Sequence, residues 1–153
     1  MKKFELTTDT KMRFGKKLFR IKALISFGNV RAGDVGGYIE KEENLSQYGN
    51  AWVYGDARVS GDARVYGNAR VSGDAWVSGD ADYATASGFG SECRTTTFFK
   101  LKNSDEIGVR CGCFYGTLKE FKEKVKETHG ETKKAKEYLR LADLMEYKFS
   151  EEK

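Results

Sequence analysis

Residues 49–84 run GNAWVY, GDARVS, GDARVY, GNARVS, GDAWVS and GDADYA, one six-residue unit written six times. Gly recurs at 49, 55, 61, 67, 73 and 79, each time followed by Asn or Asp and then Ala. Val follows two residues after Ala at 53, 59, 65, 71 and 77, and Tyr83 takes that place in the last unit. A period of six fits neither a helix nor a strand of an open sheet. Ala and Val lie two apart, so in extended backbone both face one side, while Trp52 and Tyr54, or Arg58 and Ser60, face the other. Gly joined to Asn or Asp marks a corner, because Gly tolerates positive φ and Asn or Asp bonds its own backbone. Such units bury their apolar side chains only by stacking on one another, which predicts a solenoid.

The pattern resembles the hexapeptide repeat of left-handed parallel β-helices. Val53, Gly55-Asp56, Ala57 and Arg58 match it, and so do the next four units. The chain departs from the family in placing Tyr or Ser directly after the aliphatic residue. The resemblance implies three units per triangular coil, so residues eighteen apart stack at about 4.8 Å. Outward positions then pair as Trp52 with Arg70, Arg58 with Trp76, and Arg64 with Asp82. These rows read in two ways. They are ladders that stabilise a small solenoid through cation–π stacks and an ion pair, or they form a recognition surface of residue types that dominate interface hot spots. On the second reading Trp52, Tyr54, Arg58, Arg64, Tyr66, Arg70 and Trp76 bind the partner. Asp56 over Asp74 and Asp62 over Asp80 place like charges together; corner backbone N–H groups are expected to hold these carboxylates, with a cation site as the alternative.

Outward from the repeat, Gly33–Ile39 and Asn44-Leu45 look like degenerate units, with Ile39 and Leu45 in phase with Ala51. The β-helix is expected to span residues 33–86, about three coils. Before it, residues 3–7 and 17–25 read as strands with Gly15 between them, so residues 1–32 form a basic β-hairpin that caps one end. After it, residues 87–153 read as a ββαα tail. Its strands are Thr95–Lys102 and Glu106–Tyr115, joined through Asn103-Ser104-Asp105. Thr117 and Glu120 have the spacing of a capping box; Leu118, Phe121 and Val125 follow at helical spacing, and Gly130 ends that helix. A second helix, Thr132–Phe149, carries Ala135, Tyr138, Leu139, Ala142, Met145 and Phe149 as its apolar stripe.

The fold class is therefore mainly β. The chain has 153 residues, 39% hydrophobic and 33% charged, and no apolar run long enough for a membrane span. Its start lacks the apolar core of a signal peptide, and three cysteines fit reduced thiols, so the expected location is the cytoplasm. Net charge is uneven: +7 over residues 1–31, −6 over 32–92 and +3 over 93–153, which sum to +4. A basic arm beside an acidic solenoid suits nucleic acid or the solenoid of a neighbouring subunit. With no defined nucleic-acid motif, nucleic acid is not the expected partner.

Many hexapeptide-repeat proteins are trimeric acyltransferases that use acyl-CoA and a histidine general base. That activity is the runner-up here, because the one histidine, His129, lies outside the repeat at a helix end, where it serves to cap carbonyls. Cys111 and Cys113 share one face of a strand, and with Cys93 and His129 they make a weak Cys₃His metal set. The paired spacing of zinc knuckles is absent, so neither metal nor cofactor is expected, and the protein is read as a non-enzyme.

The flanks carry a second resemblance. Leu18–Leu24, Gly33–Glu40, Glu43–Gln47, Cys111–Phe114 and Glu127–Gly130 are similar to small proteins encoded by phages and prophages of Gram-positive bacteria, most without assigned function. This implies a phage accessory protein in the cytoplasm of a bacterial host. Such proteins commonly bind a host defence protein or sequester a small signalling molecule. A homo-oligomer, with a trimer favoured, is the expected assembly; a structural phage component is the remaining alternative.

Overall fold

The computed structural model describes residues 2–13, 15–79, 82–87, 89, 95–101, 106–111 and 114–150. Its strands are β1 (Phe4–Arg13), β2 (Lys16–Ala23), β3 (Val35–Ile39), β4 (Trp52–Val53), β5 (Arg58–Val59), β6 (Arg70–Val71), β7 (Trp76–Val77), β8 (Tyr83–Ala86), β9 (Thr96–Lys100), β10 (Ile107–Cys111) and β11 (Phe114–Thr117). Helices α1 (Leu118–His129) and α2 (Lys133–Phe149) close the chain.

The repeat forms a β-solenoid. Its two-residue strands pair in parallel with the eighteen-residue spacing that the repeat demands: Trp52 with Arg70, Val53 with Val71, Arg58 with Trp76 and Val59 with Val77. Every Ala from 51 to 75 and every Val from 53 to 77 in the repeat is fully buried. The corner glycines at 49, 55, 61, 67 and 73 have φ between 61° and 72°, the left-handed region where a Cβ is strained.

The leading units differ from the expected phase. Ile39 pairs with Val59 and Leu45 bridges to Val65, both twenty residues on. They occupy the Val position, not the phase of Ala51, because eight residues instead of six separate Leu45 from Val53. The two extra residues lie in the corner that carries Tyr48, which is 84% exposed. Asn44 bridges this irregular coil to the next, its side-chain amide donating to Gly61 O and Ala63 O at 3.1 and 2.9 Å.

The N-terminal hairpin caps one end by pairing: β2 runs antiparallel to β3, giving the sheet order β1-β2-β3-β5-β7. Its positive charge meets the solenoid of the same chain. Arg20 contacts Asp56 at 3.3 Å, besides Asp9 of the hairpin itself at 3.1 Å, Lys2 contacts Glu42 at 3.1 Å, and Lys16 approaches Glu40 at 3.9 Å. Asp56 is thus matched to a guanidinium, and Asp62 lies 3.9 Å from Lys41. Asp80, its expected stacking partner, lies outside the described residues.

At the other end a second sheet, ordered β11-β10-β9-β8, covers the last coil. Strand β8, which repeat counting places inside the solenoid, is an edge strand of this sheet and pairs with β9. Tyr83 still contributes to the solenoid core, and its hydroxyl donates to the carbonyl of Arg64. Alternation along β9 separates two cores: Phe99 fills the end of the solenoid, while Phe98 packs with Val109, Phe121 and Tyr138 under the helices. The expected run Glu106–Tyr115 is two strands, β10 and β11, and the turn expected at Asn103-Ser104-Asp105 lies outside the described residues. Thr117 and Glu120 form the predicted capping box, and Thr132 caps α2. Leu141 joins the buried stripe of α2, where Leu139 and Phe149 are only partly buried.

Candidate functional site

On the solenoid's outer surface the repeat places cations against rings. Tyr38, Arg58 and Trp76 lie in register across β3, β5 and β7. The Arg58 guanidinium stands 5.6 Å from the Trp76 ring and that of Arg20 stands 4.4 Å from the Tyr38 ring. Arg20 is fully engaged, bonding the Tyr38 hydroxyl, Gly36 O and two carboxylates. Arg58 differs: among the described residues its buried Nε has no hydrogen-bond partner.

The expected surface does not survive whole. Trp52 does point away from the solenoid interior, but Phe4 and Phe27 cover it at ring distances of 6.3 and 5.3 Å, so it is buried and offers a partner nothing. A Cβ at Gly36 would stand 2.8 Å from the Trp52 ring, so that glycine lets β3 pack against the indole. Arg58, Arg70 and Trp76 are partly exposed; Arg64 is exposed, and so is Tyr66 at 65%. Asp82, the expected partner of Arg64, accepts from Ser78 N and Oγ, both at 2.9 Å, and contacts Lys100 at 3.3 Å.

Tyr54 and Arg70 meet residues the sequence did not single out. Thr97, Arg110 and Tyr115 are in register across β9, β10 and β11 and share the face turned to the solenoid. Thr97 Oγ1 accepts from Arg70 N at 3.0 Å, capping the free edge of β6. Arg110 lies 5.2 Å from the Tyr54 ring, and among the described residues its buried Nε has no partner. The Tyr54 hydroxyl is hydrogen-bonded to Arg70. Tyr115 stacks on Phe99 at 6.4 Å and accepts from the backbone N–H of Asp74. Burial pushes both phenols up in pKa, against the opposing pull of the arginines. Both phenols are protonated near neutral pH, as an ordinary phenol is, and the upward shift moves them further from that range. The register that assembles this seam depends on where the β10–β11 turn falls, which alternation alone does not reveal.

His129 stacks on Tyr138 at 6.2 Å. The Cys111 sulfur accepts from Thr96 Oγ1 at 3.3 Å and packs beneath the helices. Cys93 and Cys113 lie outside the described residues, and among the described residues no group of three metal-ligating side chains comes together. No described helix is long and apolar enough to cross a membrane.

Residues 63–79 match the family model of the YdcK beta solenoid repeat. No curated protein matches the chain. The match supports a β-solenoid repeat and covers the Arg64, Tyr66, Arg70 and Trp76 positions.

Proposed function

We propose that this chain is a phage-encoded, non-catalytic binding protein that antagonises a bacterial defence system by holding a host protein. In this reading the solenoid is a left-handed β-helix of the hexapeptide-repeat kind, about three coils long. The protein works in the host cytoplasm as a homotrimer. The observation that carries the proposal is the Arg58–Trp76 pair. A guanidinium lies on an indole face, and among the described residues it has no carboxylate partner and an unsatisfied Nε. Arg and Trp are the side chains whose burial under a partner contributes most to binding. Arg64 and Tyr66, exposed in the same repeat, extend the surface. The resemblance of the flanks to phage and prophage proteins supports the biological setting.

The test is affinity capture from a Gram-positive lysate with the wild-type chain and with Arg58→Ala/Trp76→Ala, the assembly state being read by native mass spectrometry. A stoichiometric host protein lost in the variant, while the trimer persists, is the expected result. Equal capture by both forms removes this surface from the reading. Transfer of an acyl group from acyl-CoA to an acceptor amine or hydroxyl, with release of free coenzyme A, would favour an acyltransferase of the hexapeptide type instead.

A further inference from the structure

We propose that the seam between solenoid and second sheet is a binding site for a small phosphate-bearing anion, with Arg110 as its principal ligand and Arg70 beside it. The site is separate from the Arg58–Trp76 surface and does not depend on the host-protein reading.

The argument begins with register. Strand pairing puts Tyr115 and Thr97 on either side of Arg110, and Thr97 bonds the backbone of Arg70 across the seam. Both guanidiniums are thereby brought to the Tyr54 phenol, that of Arg110 standing 5.2 Å from its ring and that of Arg70 hydrogen-bonded to its hydroxyl. A planar guanidinium presents donors in a rigid fork that matches carboxylate and phosphate alike; two such forks with two phenol hydroxyls beside them supply enough donors for the several oxygens of a phosphate. Arg110 has donor capacity to offer: among the described residues its Nε has no partner and no carboxylate pairs with it. The phenols of Tyr54 and Tyr115, protonated near neutral pH as phenols ordinarily are, add O–H donors. Asp74 and Glu120 both lie near the Tyr115 phenol, so attraction for an anion rests on the directed donors of the two guanidiniums rather than on a surplus of positive charge.

The seat is also rigid. A Cβ at Gly73 would fall 1.6 Å from the Tyr115 hydroxyl oxygen, so Tyr115 is inserted against a corner that only glycine leaves open. Preorganised donors bind an anion without first having to be ordered.

Titration calorimetry of the full chain with inorganic phosphate, pyrophosphate and adenosine monophosphate tests the site. Saturable 1:1 binding of at least one is expected, weakened at least about tenfold in Arg110→Gln and unchanged in Arg140→Gln, which alters an exposed arginine of α2. Circular dichroism verifies that Arg110→Gln is folded. If it is not, Tyr115→Phe, which keeps the ring and removes the hydroxyl, is expected to weaken binding several-fold. Binding of pyrophosphate as tight as that of the nucleotide shows that the anion alone is read, and nucleotide binding alone shows that the base is read as well. No binding of any of the three by the wild-type chain, or equal binding by Arg110→Gln, overturns the proposal.

Discussion

Trp52 and Trp76 hold the same position in the repeat, yet Trp52 is 1% exposed beneath Phe4 and Phe27, while Trp76 stays partly open under Arg58. One repeat letter thus has two physical roles, set by what the flanks lay over it. Trp52→Ala is expected to cost about 3–5 kcal/mol, the range for emptying a buried aromatic site. Trp76→Ala should cost only about 1 kcal/mol, the scale of a lost cation–π stack. Urea denaturation of the two variants checks this; equal losses would show that the hairpin does not protect Trp52.

Gly73 and Gly67 share the left-handed corner, at φ 64° and 67°, but only Gly73 lies against Tyr115. An alanine at either position carries the backbone strain of about 1–2 kcal/mol. Gly73→Ala additionally displaces the Tyr115 ring, so its loss of stability should exceed that of Gly67→Ala by at least about 1 kcal/mol. In a Tyr115→Ala background the two glycine substitutions should cost the same. A persisting gap would locate the extra strain elsewhere.

Lys3 is buried, with its ammonium donating to Ala51 O at 2.8 Å and no carboxylate beside it among the described residues. Burial lowers its pKa to about 8 from 10.5. Between those values the unfolded chain binds more protons than the folded one, so this group makes stability rise with pH. The slope is at most about 1.4 kcal/mol per pH unit. Lys3→Met removes the titration. The stability difference between wild type and Lys3→Met should therefore move in favour of wild type from about pH 8 upward, and a flat difference would refute the buried amine.

Asp82 behaves in the opposite sense. Burial acts to raise its pKa, but the N–H and hydroxyl of Ser78 and the ammonium of Lys100 outweigh it and leave the carboxyl below its ordinary value. Its contribution is complete above the unfolded pKa of about 3.9 and is lost as pH falls through the lower folded value. Asp82→Asn should cost about 1.5–3 kcal/mol at neutral pH, and that cost should shrink on acidification. A pH-independent difference would mean that the Ser78 and Lys100 contacts do not depend on the charge.

Local rules made much of this molecule legible in advance. The Gly–Asp corner, the Ala–Val alternation and the eighteen-residue pairing all follow from period six. So do the capping box at Thr117 and the glycine stop at Gly130, because each depends on residues a few positions apart. The exposure of the outward positions was not legible in the same way. Whether Trp52 faces water depends on Phe4 and Phe27, 48 and 25 residues away, and no local spacing encodes that cover. The Arg110 and Tyr115 half of the seam was missed because a single strand was expected where β10 and β11 pair.

By itself the sequence determined a β-solenoid with inward Ala and Val, since each short repeat carries the same turn and the same alternation and can bury its apolar side chains only by stacking. The tertiary structure alone decided which outward residues remain available. It folded the basic hairpin onto its own solenoid, closed Trp52 away, left Trp76 partly open, and brought Arg110 to Tyr54. Those outcomes rest on contacts between segments far apart in the chain, whose geometry is set by packing and charge pairing rather than by the period of the repeat.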